Sequence, residues 1–140
     1  MDLPPEEASE LVASCRQNGL KNIFIIAPTT PENRIPTIVE SSSGFIYYVS
    51  RAGVTGERKD LADDLDIRVT TIKKYTDLPV VVGFGISTPE QVSKVSAVAD
   101  GVVIGSTLVN CISENLGNPD LIVEKISART ETLSTGLSKM

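Results

Sequence analysis

The chain predicts an α/β protein of parallel strand–helix repeats. Three observations carry that expectation. Short unbroken apolar runs recur along the chain, each is followed by a stretch with apolar residues at helical spacing, and glycine-bearing turns follow three of the runs. Unbroken rather than alternating apolar strands imply burial on both faces, as in a parallel sheet wrapped by helices.

The elements follow in order. Ala8, Leu11, Val12 and Cys15 fall on one helical face, Pro4 and Pro5 suit a first turn, and Asn18-Gly19 is a stop. Ile23 to Ala27 reads as a strand buried on both faces. Thr30 and Pro31 can open the next helix, with Ile35, Ile38 and Val39 inward and Gly44 at its end. Pro36 would remove an interior hydrogen bond, so a late start or a kink is expected there. Phe45 to Val49 is the second strand, and a long loop leads to a helix burying Leu61, Leu65, Val69 and Ile72. A third strand runs from Pro79 through Val82, and Ser87-Thr88-Pro89-Glu90-Gln91 is a helix start with cap, N1 proline and early acid. Val92, Val95 and Ala99 give that helix its buried face. Gly101 to Ile104 is the fourth strand, followed by a short helix with Leu108, Val109 and Ile112 inward. Asn118-Pro119-Asp120 opens a terminal helix through Ile126, and residues 134–140 are expected to fray.

Two architectures accommodate four such units: a self-contained open sheet with helices on both faces, or a segment of a (β/α)8 barrel with all helices outside. Length favours the segment, because a complete barrel takes about 250 residues and this chain has 140. The expectation is one domain over residues 1–140, half of a TIM barrel.

Composition narrows the function classes. A hydrophobic content of 41% and a mean hydropathy of +0.07 suit one domain with a real core. A net charge of −5 and a pI near 4.7, without a basic stripe, argue against nucleic acid as a partner. No apolar run reaches membrane-spanning length and no secretion signal opens the chain, so a cytoplasmic location is expected. The chain has no histidine, which excludes Ser-His-Asp and Cys-His nucleophiles. Cys15 and Cys111 lack CxxC spacing and read as small apolar residues on buried helix faces. No metal site and no cofactor are expected.

The three glycine turns are Ser50-Arg51-Ala52-Gly53-Val54-Thr55-Gly56, Gly83-Phe84-Gly85-Ile86-Ser87 and Gly105-Ser106-Thr107. Glycine lets backbone N–H groups approach an anion, and the following helix adds its positive end. Three in succession suggest convergence on one phosphate, although Gly53, Gly56 and Gly105 could also be plain turn residues with positive φ.

These motifs, with Asp2-Leu3-Pro4-Pro5-Glu6-Glu7, Ile26-Ala27-Pro28-Thr29-Thr30-Pro31 and the continuation Thr88-Pro89-Glu90-Gln91, resemble segments of the tryptophan synthase alpha chain family, in order and at similar spacing. The resemblance covers essentially the whole chain and points to the C-terminal half, strands five to eight of the barrel. It implies cofactor-free retro-aldol cleavage of indole-3-glycerol phosphate to indole and glyceraldehyde 3-phosphate, with indole passing to a beta chain. By the same resemblance, phosphate would be held by backbone at Gly56, Gly85, Gly105 and Ser106, with the Ser106 hydroxyl as a further donor. Tyr47 and Phe84 match the wall that holds the indole ring, or are simply core aromatics. Thr55 matches the hydroxyl that orients the catalytic acid, or is a plain loop hydroxyl. Asp2 and Pro4 match the part that faces the beta chain, or cap a helix.

That cleavage asks for two positioned carboxyl groups. The family's pair belongs to the second barrel strand and the loop after it, so no catalytic residue is assigned in this chain. Glu57, Asp60, Asp63 and Asp64 fall in or beside a loop, while Glu90 and Asp120 belong to helix starts. The chain is expected to be inactive alone and to need an N-terminal half barrel, or self-association, to cover its open strand edges. A non-catalytic module that binds phosphate or the beta chain is the alternative. Another phosphosugar barrel, such as indole-glycerol phosphate synthase, would need a lysine at a strand end, and none of Lys21, Lys59, Lys73, Lys74 and Lys94 falls there.

Overall fold

Four parallel strands, β1 (Ile25–Ile26), β2 (Ile46–Val49), β3 (Val80–Gly83) and β4 (Gly101–Val103), lie side by side in sequence order. The helices are α1 (Ser9–Gln17), α2 (Ile35–Ser41), α3 (Asp60–Lys73), α4 (Pro89–Ser96), α5 (Ser106–Ser113) and α6 (Pro119–Ser134). The computed structural model describes residues 3–50, 60–83 and 85–137, the side chains of 60–64 excepted.

The register sets Ile25 beside Tyr47, Tyr47 beside Val81 and Val81 beside Gly101, so alternate residues divide the sheet into two unlike faces. One face is the core. Ile26, Ile46, Tyr48, Val80 and Val82 are buried there against Ile35 and Ile38 of α2, Val69 and Ile72 of α3, and Val92 and Val95 of α4. Among the described residues the other face has no helix of its own. Ile25 is 46% exposed, and Tyr47, Val49, Val81, Gly101 and Val103 are only half-buried. A parallel sheet with helices on one face alone is half of a (β/α)8 barrel, whose inner wall is the open face.

Several local expectations change for that reason. The strands are not buried on both faces, and β1 is confined to Ile25–Ile26 because no strand pairs with its outer edge among the described residues. The apolar stripes of the end helices are largely uncovered: Leu11 of α1 is 50% exposed, and Val109 and Ile112 of α5 are 58% and 39% exposed. Cys15 and Cys111 are half-buried, not buried, for the same lack of neighbours, and both are free thiols. Ala8 is fully buried, as expected of the first helix's face.

Elsewhere the local chemistry acts as expected or corrects a boundary. Pro36 gives a late start, with a 3-10 turn at Glu32–Arg34 before α2 and the proline in its first turn. That helix closes at Ser42, ahead of Gly44. Pro79 precedes β3, and its carbonyl accepts the Ile46 N–H at 2.8 Å. The terminal helix runs past Ile126 to Ser134 because Leu133 is buried in the core. Where fraying was expected, Gly136 lies against the Pro89 backbone, and its carbonyl accepts the Ser96 hydroxyl at 3.5 Å. Residues 138–140 lie outside the described residues.

Candidate functional site

The carboxyl ends of the strands are tied to one another by hydrogen bonds from the segments that follow them. After β2, Ser50 donates to the Gly83 carbonyl at the end of β3, from its N–H at 3.0 Å and its hydroxyl at 3.4 Å. After β4, the Thr107 hydroxyl in the first turn of α5 donates to the Ile86 carbonyl at 3.0 Å. From α6, Arg129 donates to the Ser87 carbonyl at 2.9 Å. The Gly85 turn is therefore fastened to the β4–α5 turn, which brings Gly85, Gly105 and Ser106 to one end of the sheet.

The two turns use glycine differently. Gly85 has φ +67°, a left-handed conformation that a residue with a side chain would resist. The turn is closed by Gln91, whose Oε1 accepts the N–H groups of Ser87 at 2.7 Å and Thr88 at 3.2 Å. Thr88 completes a capping box by accepting the Gln91 N–H at 3.3 Å. Gly105 has φ −114°, so the alternative of a positive-φ turn residue does not apply to it. It opens α5 without a side-chain cap, and a Cβ there would meet nothing within 4 Å. The first-turn amides of a helix have no partner within the helix. At α5 they belong to Ser106 and Thr107, beside the open backbone of Gly105, as an anion-binding end requires.

Tyr47 stands on the open face of β2, half-buried, with its ring over Gly83. A Cβ at Gly83 would come within 2.7 Å of the Tyr47 hydroxyl oxygen and 2.8 Å of the Val103 Cβ. The aromatic ring thus occupies the inner wall near the carboxyl ends, where the glycine turns begin. Pro4 is the extended residue before a 3-10 turn at Pro5–Glu7 and accepts the Glu7 N–H at 3.0 Å. Glu6 of that turn takes both its oxygens to Arg34, at 2.7 and 2.9 Å, in the 3-10 turn that follows β1. Its own backbone N–H and the Arg34 guanidinium hold the Glu6 carboxyl below the usual range. Asp2, Thr55, Gly56 and Phe84 lie outside the described residues.

Glu90 and Asp120 both stand at helix starts, where a carboxylate suits the positive end of the helix. Glu90 sits in the first turn of α4, where backbone N–H and Thr88 hydrogen bonds hold its carboxyl below the usual range. Asp120 follows the Asn118 cap of α6, whose Oδ1 accepts the Leu121 N–H at 3.2 Å. Glu57 and the side chains of Asp60, Asp63 and Asp64 lie outside the described residues. Behind the glycine turns, on the helix side, a cleft of about 720 Å³ is lined by Ser87, Thr107, Asn110, Cys111, Arg129 and Thr132, among others.

Arg129 is a site-building residue that sequence reading does not single out, and Thr107, although part of the third glycine turn, has a bonding role that reading does not foresee. Their acceptors are backbone carbonyls 21 and 42 residues away, and no local pattern announces such a pair. Arg68 acts similarly at the other edge, donating to the Pro28 and Thr30 carbonyls at 2.6 and 3.1 Å.

Residues 1–138 match the sequence profile of the tryptophan synthase alpha chain. The chain belongs to the tryptophan synthase alpha chain family. The family member from Opitutus terrae is 52% identical over 139 residues, covering 99% of this chain and 52% of that relative. Among solved structures, the alpha subunit from Campylobacter jejuni superposes with a TM-score of 0.78 at 34% identity, covering 89% of this chain and 50% of the other. A chain of the tryptophan synthase α2β2 complex of Pyrococcus furiosus gives 0.79 at 35% identity, covering 95% and 53%. The chain spans about half the length of the curated relatives it matches. No helix among the described residues is long and apolar enough to cross a membrane.

Proposed function

We propose that this chain is the C-terminal, phosphate- and indole-binding half of a tryptophan synthase alpha barrel. In a completed barrel it takes part in the retro-aldol cleavage of indole-3-glycerol phosphate to indole and glyceraldehyde 3-phosphate. The observation that carries the reading is the hydrogen bond from Thr107 to the Ile86 carbonyl, which joins the Gly85 turn to the start of α5. Phosphate would rest on the amides of Gly85, Gly105 and Ser106, with Gly56 closing from the second loop. Gly85, Gly105 and Ser106 offer neutral donors held in place by the fold, so they bind an anion without reorganising. Tyr47 and Phe84 would flank the indole ring, and Thr55 would orient the catalytic acid.

Proton transfer to the indole ring and from the glycerol hydroxyl needs two carboxyl groups, which the N-terminal half would supply. This chain then works as a binding half and is inactive by itself. The neighbours include a tryptophan synthase α2β2 complex, which supports a beta chain as partner, with Asp2 and Pro4 on the facing surface. The working site is cytoplasmic and needs no cofactor.

The test is indole release from indole-3-glycerol phosphate. The chain alone should release none, and a mixture with a separately expressed N-terminal half of the same family should release indole. Turnover by the chain alone would refute the assignment of the carboxylates. Silence of the mixture, with both parts folded, would leave a non-catalytic phosphate- or beta-chain-binding module.

A further inference from the structure

We infer that Arg129 is a positioning residue for phosphate: from α6 it holds the Gly85 turn by the Ser87 carbonyl and sets a fixed positive charge behind the amides that receive the anion. The inference rests on the functional proposal above, and it concerns a residue that acts through the turn rather than on the ligand.

Two successive peptide groups of that turn are held at both ends. In the first, the Ile86 carbonyl accepts the Thr107 hydroxyl at 3.0 Å, and the Ser87 N–H donates to Gln91 Oε1 at 2.7 Å. In the second, the Ser87 carbonyl accepts Arg129 Nη2 at 2.9 Å, and the Thr88 N–H donates to the same Gln91 oxygen at 3.2 Å. Gln91 belongs to the helix that follows the turn, whereas Thr107 and Arg129 reach in from α5 and α6. Of these three side chains only Arg129 is charged, and a charged donor makes a bond roughly twice as strong as a neutral one. Without it the second peptide is held at one end only.

The charge has a second effect because of where it stands. Ser87 precedes the Thr88 cap of α4, so the guanidinium lies beside the amino end of that helix, where the macrodipole opposes a cation. The amino end of α5 is fastened to the same turn through Thr107. No ion pair among the described residues involves Arg129. Glu90, the acid in the first turn of α4, bonds to backbone and to Thr88 instead. Lys125, which lines the cleft with Arg129, is a further cation, and Glu114 across that cleft forms no ion pair among the described residues. Three positive features therefore meet at one turn, and no carboxylate is bonded to the guanidinium. An anion on the turn amides offsets that repulsion, and a neutral occupant does not. Arg129 is half-buried, so water screens its charge only in part.

Binding and turnover in the barrel completed by an N-terminal half test this, with Arg129→Met and Arg129→Lys as variants. Arg129→Met should weaken glyceraldehyde 3-phosphate binding about tenfold, as loss of a charge-assisted bond implies, and leave indole affinity as in the parent chain. KM for indole-3-glycerol phosphate should rise by a similar factor while kcat falls far less, because the tie serves ground state and transition state alike. Arg129→Lys keeps the charge and should recover part of the phosphate affinity. Equal phosphate affinity in the parent and Arg129→Met, a parallel loss of indole and phosphate binding, or a lysine variant no better than the methionine one overturns the inference and leaves the functional proposal standing. Should Arg129→Met fail to fold, Arg129→Gln takes its place under the same criteria. A parent barrel that folds but binds no glyceraldehyde 3-phosphate overturns the functional proposal, and the inference falls with it.

Discussion

At the scale of single residues, two glycines of one turn do different physical work. Gly85 is held at φ +67° with open space where a Cβ would stand, so Gly85→Ala meets no clash and suffers only from its backbone conformation. The cost should be about 1–2 kcal/mol of folding stability, read by urea denaturation, and phosphate affinity should fall as the turn amides shift. Gly83 is the opposite case, with ordinary strand geometry and no room. Gly83→Ala would bring a methyl within 2.7 Å of the Tyr47 hydroxyl and 2.8 Å of Val103, an overpacking that should cost about 1–3 kcal/mol. It should also displace the tyrosine ring, visible as a change in near-ultraviolet circular dichroism. The Gly85 turn is legible in sequence because its demand is local. The demand on Gly83 comes from neighbours on β2 and β4, which no motif in its own segment records.

At the scale of elements, the start of α4 was legible and its consequence was not. Thr88-Pro89-Glu90-Gln91 announces a capping box, and the box forms, but Gln91 also accepts the Ser87 N–H and so fixes the shape of the Gly85 turn. Thr88→Ala should cost about 1 kcal/mol in thermal or denaturant unfolding, by loss of the cap. Asp100 gives β4 a similar hidden anchor, accepting the Val80 N–H at 2.8 Å and the Lys73 ammonium at 2.8 Å. Burial pushes its carboxyl up, yet the Lys73 and Val80 hydrogen bonds outweigh that and hold it below the usual value. A depressed carboxylate adds stability that is fully present above the unfolded pKa, about 3.9, and is lost as pH falls through the folded value. The Lys73 pair is well exposed, at 38% and 42%, so water screens it and the backbone bond carries most of the effect. Asp100→Ala should therefore lower stability by about 1–2 kcal/mol near neutral pH, and its difference from the parent chain should shrink in acid. Equal differences at both pH values would contradict this account.

At the scale of the whole molecule, strand order and helix order were legible because each strand–helix unit is written in contiguous residues. Val82 and Ile46 sit deep in the core that those units build, each 0% exposed, and Ile46→Ala should cost about 2–5 kcal/mol in denaturant unfolding. What sequence periodicity could not convey is that a buried-looking stripe can lack a neighbour. Leu11, Val109 and Ile112 follow helical spacing like any core face, yet remain exposed at the two ends of the half barrel. The site has the same character: its glycines announce themselves, while Thr107, Arg129 and Ser50, which bring the turns together, are visible only once the strands lie side by side. The central claim is that those turns hold phosphate, and titration of the isotope-labelled chain, completed by an unlabelled N-terminal half, with glyceraldehyde 3-phosphate tests it most directly. The account predicts saturable shifts of the Gly85, Gly105 and Ser106 amide resonances, with Gly19 and Gly117 unmoved. Saturable binding that leaves those three amides in place, or no binding by the folded complex, would contradict it.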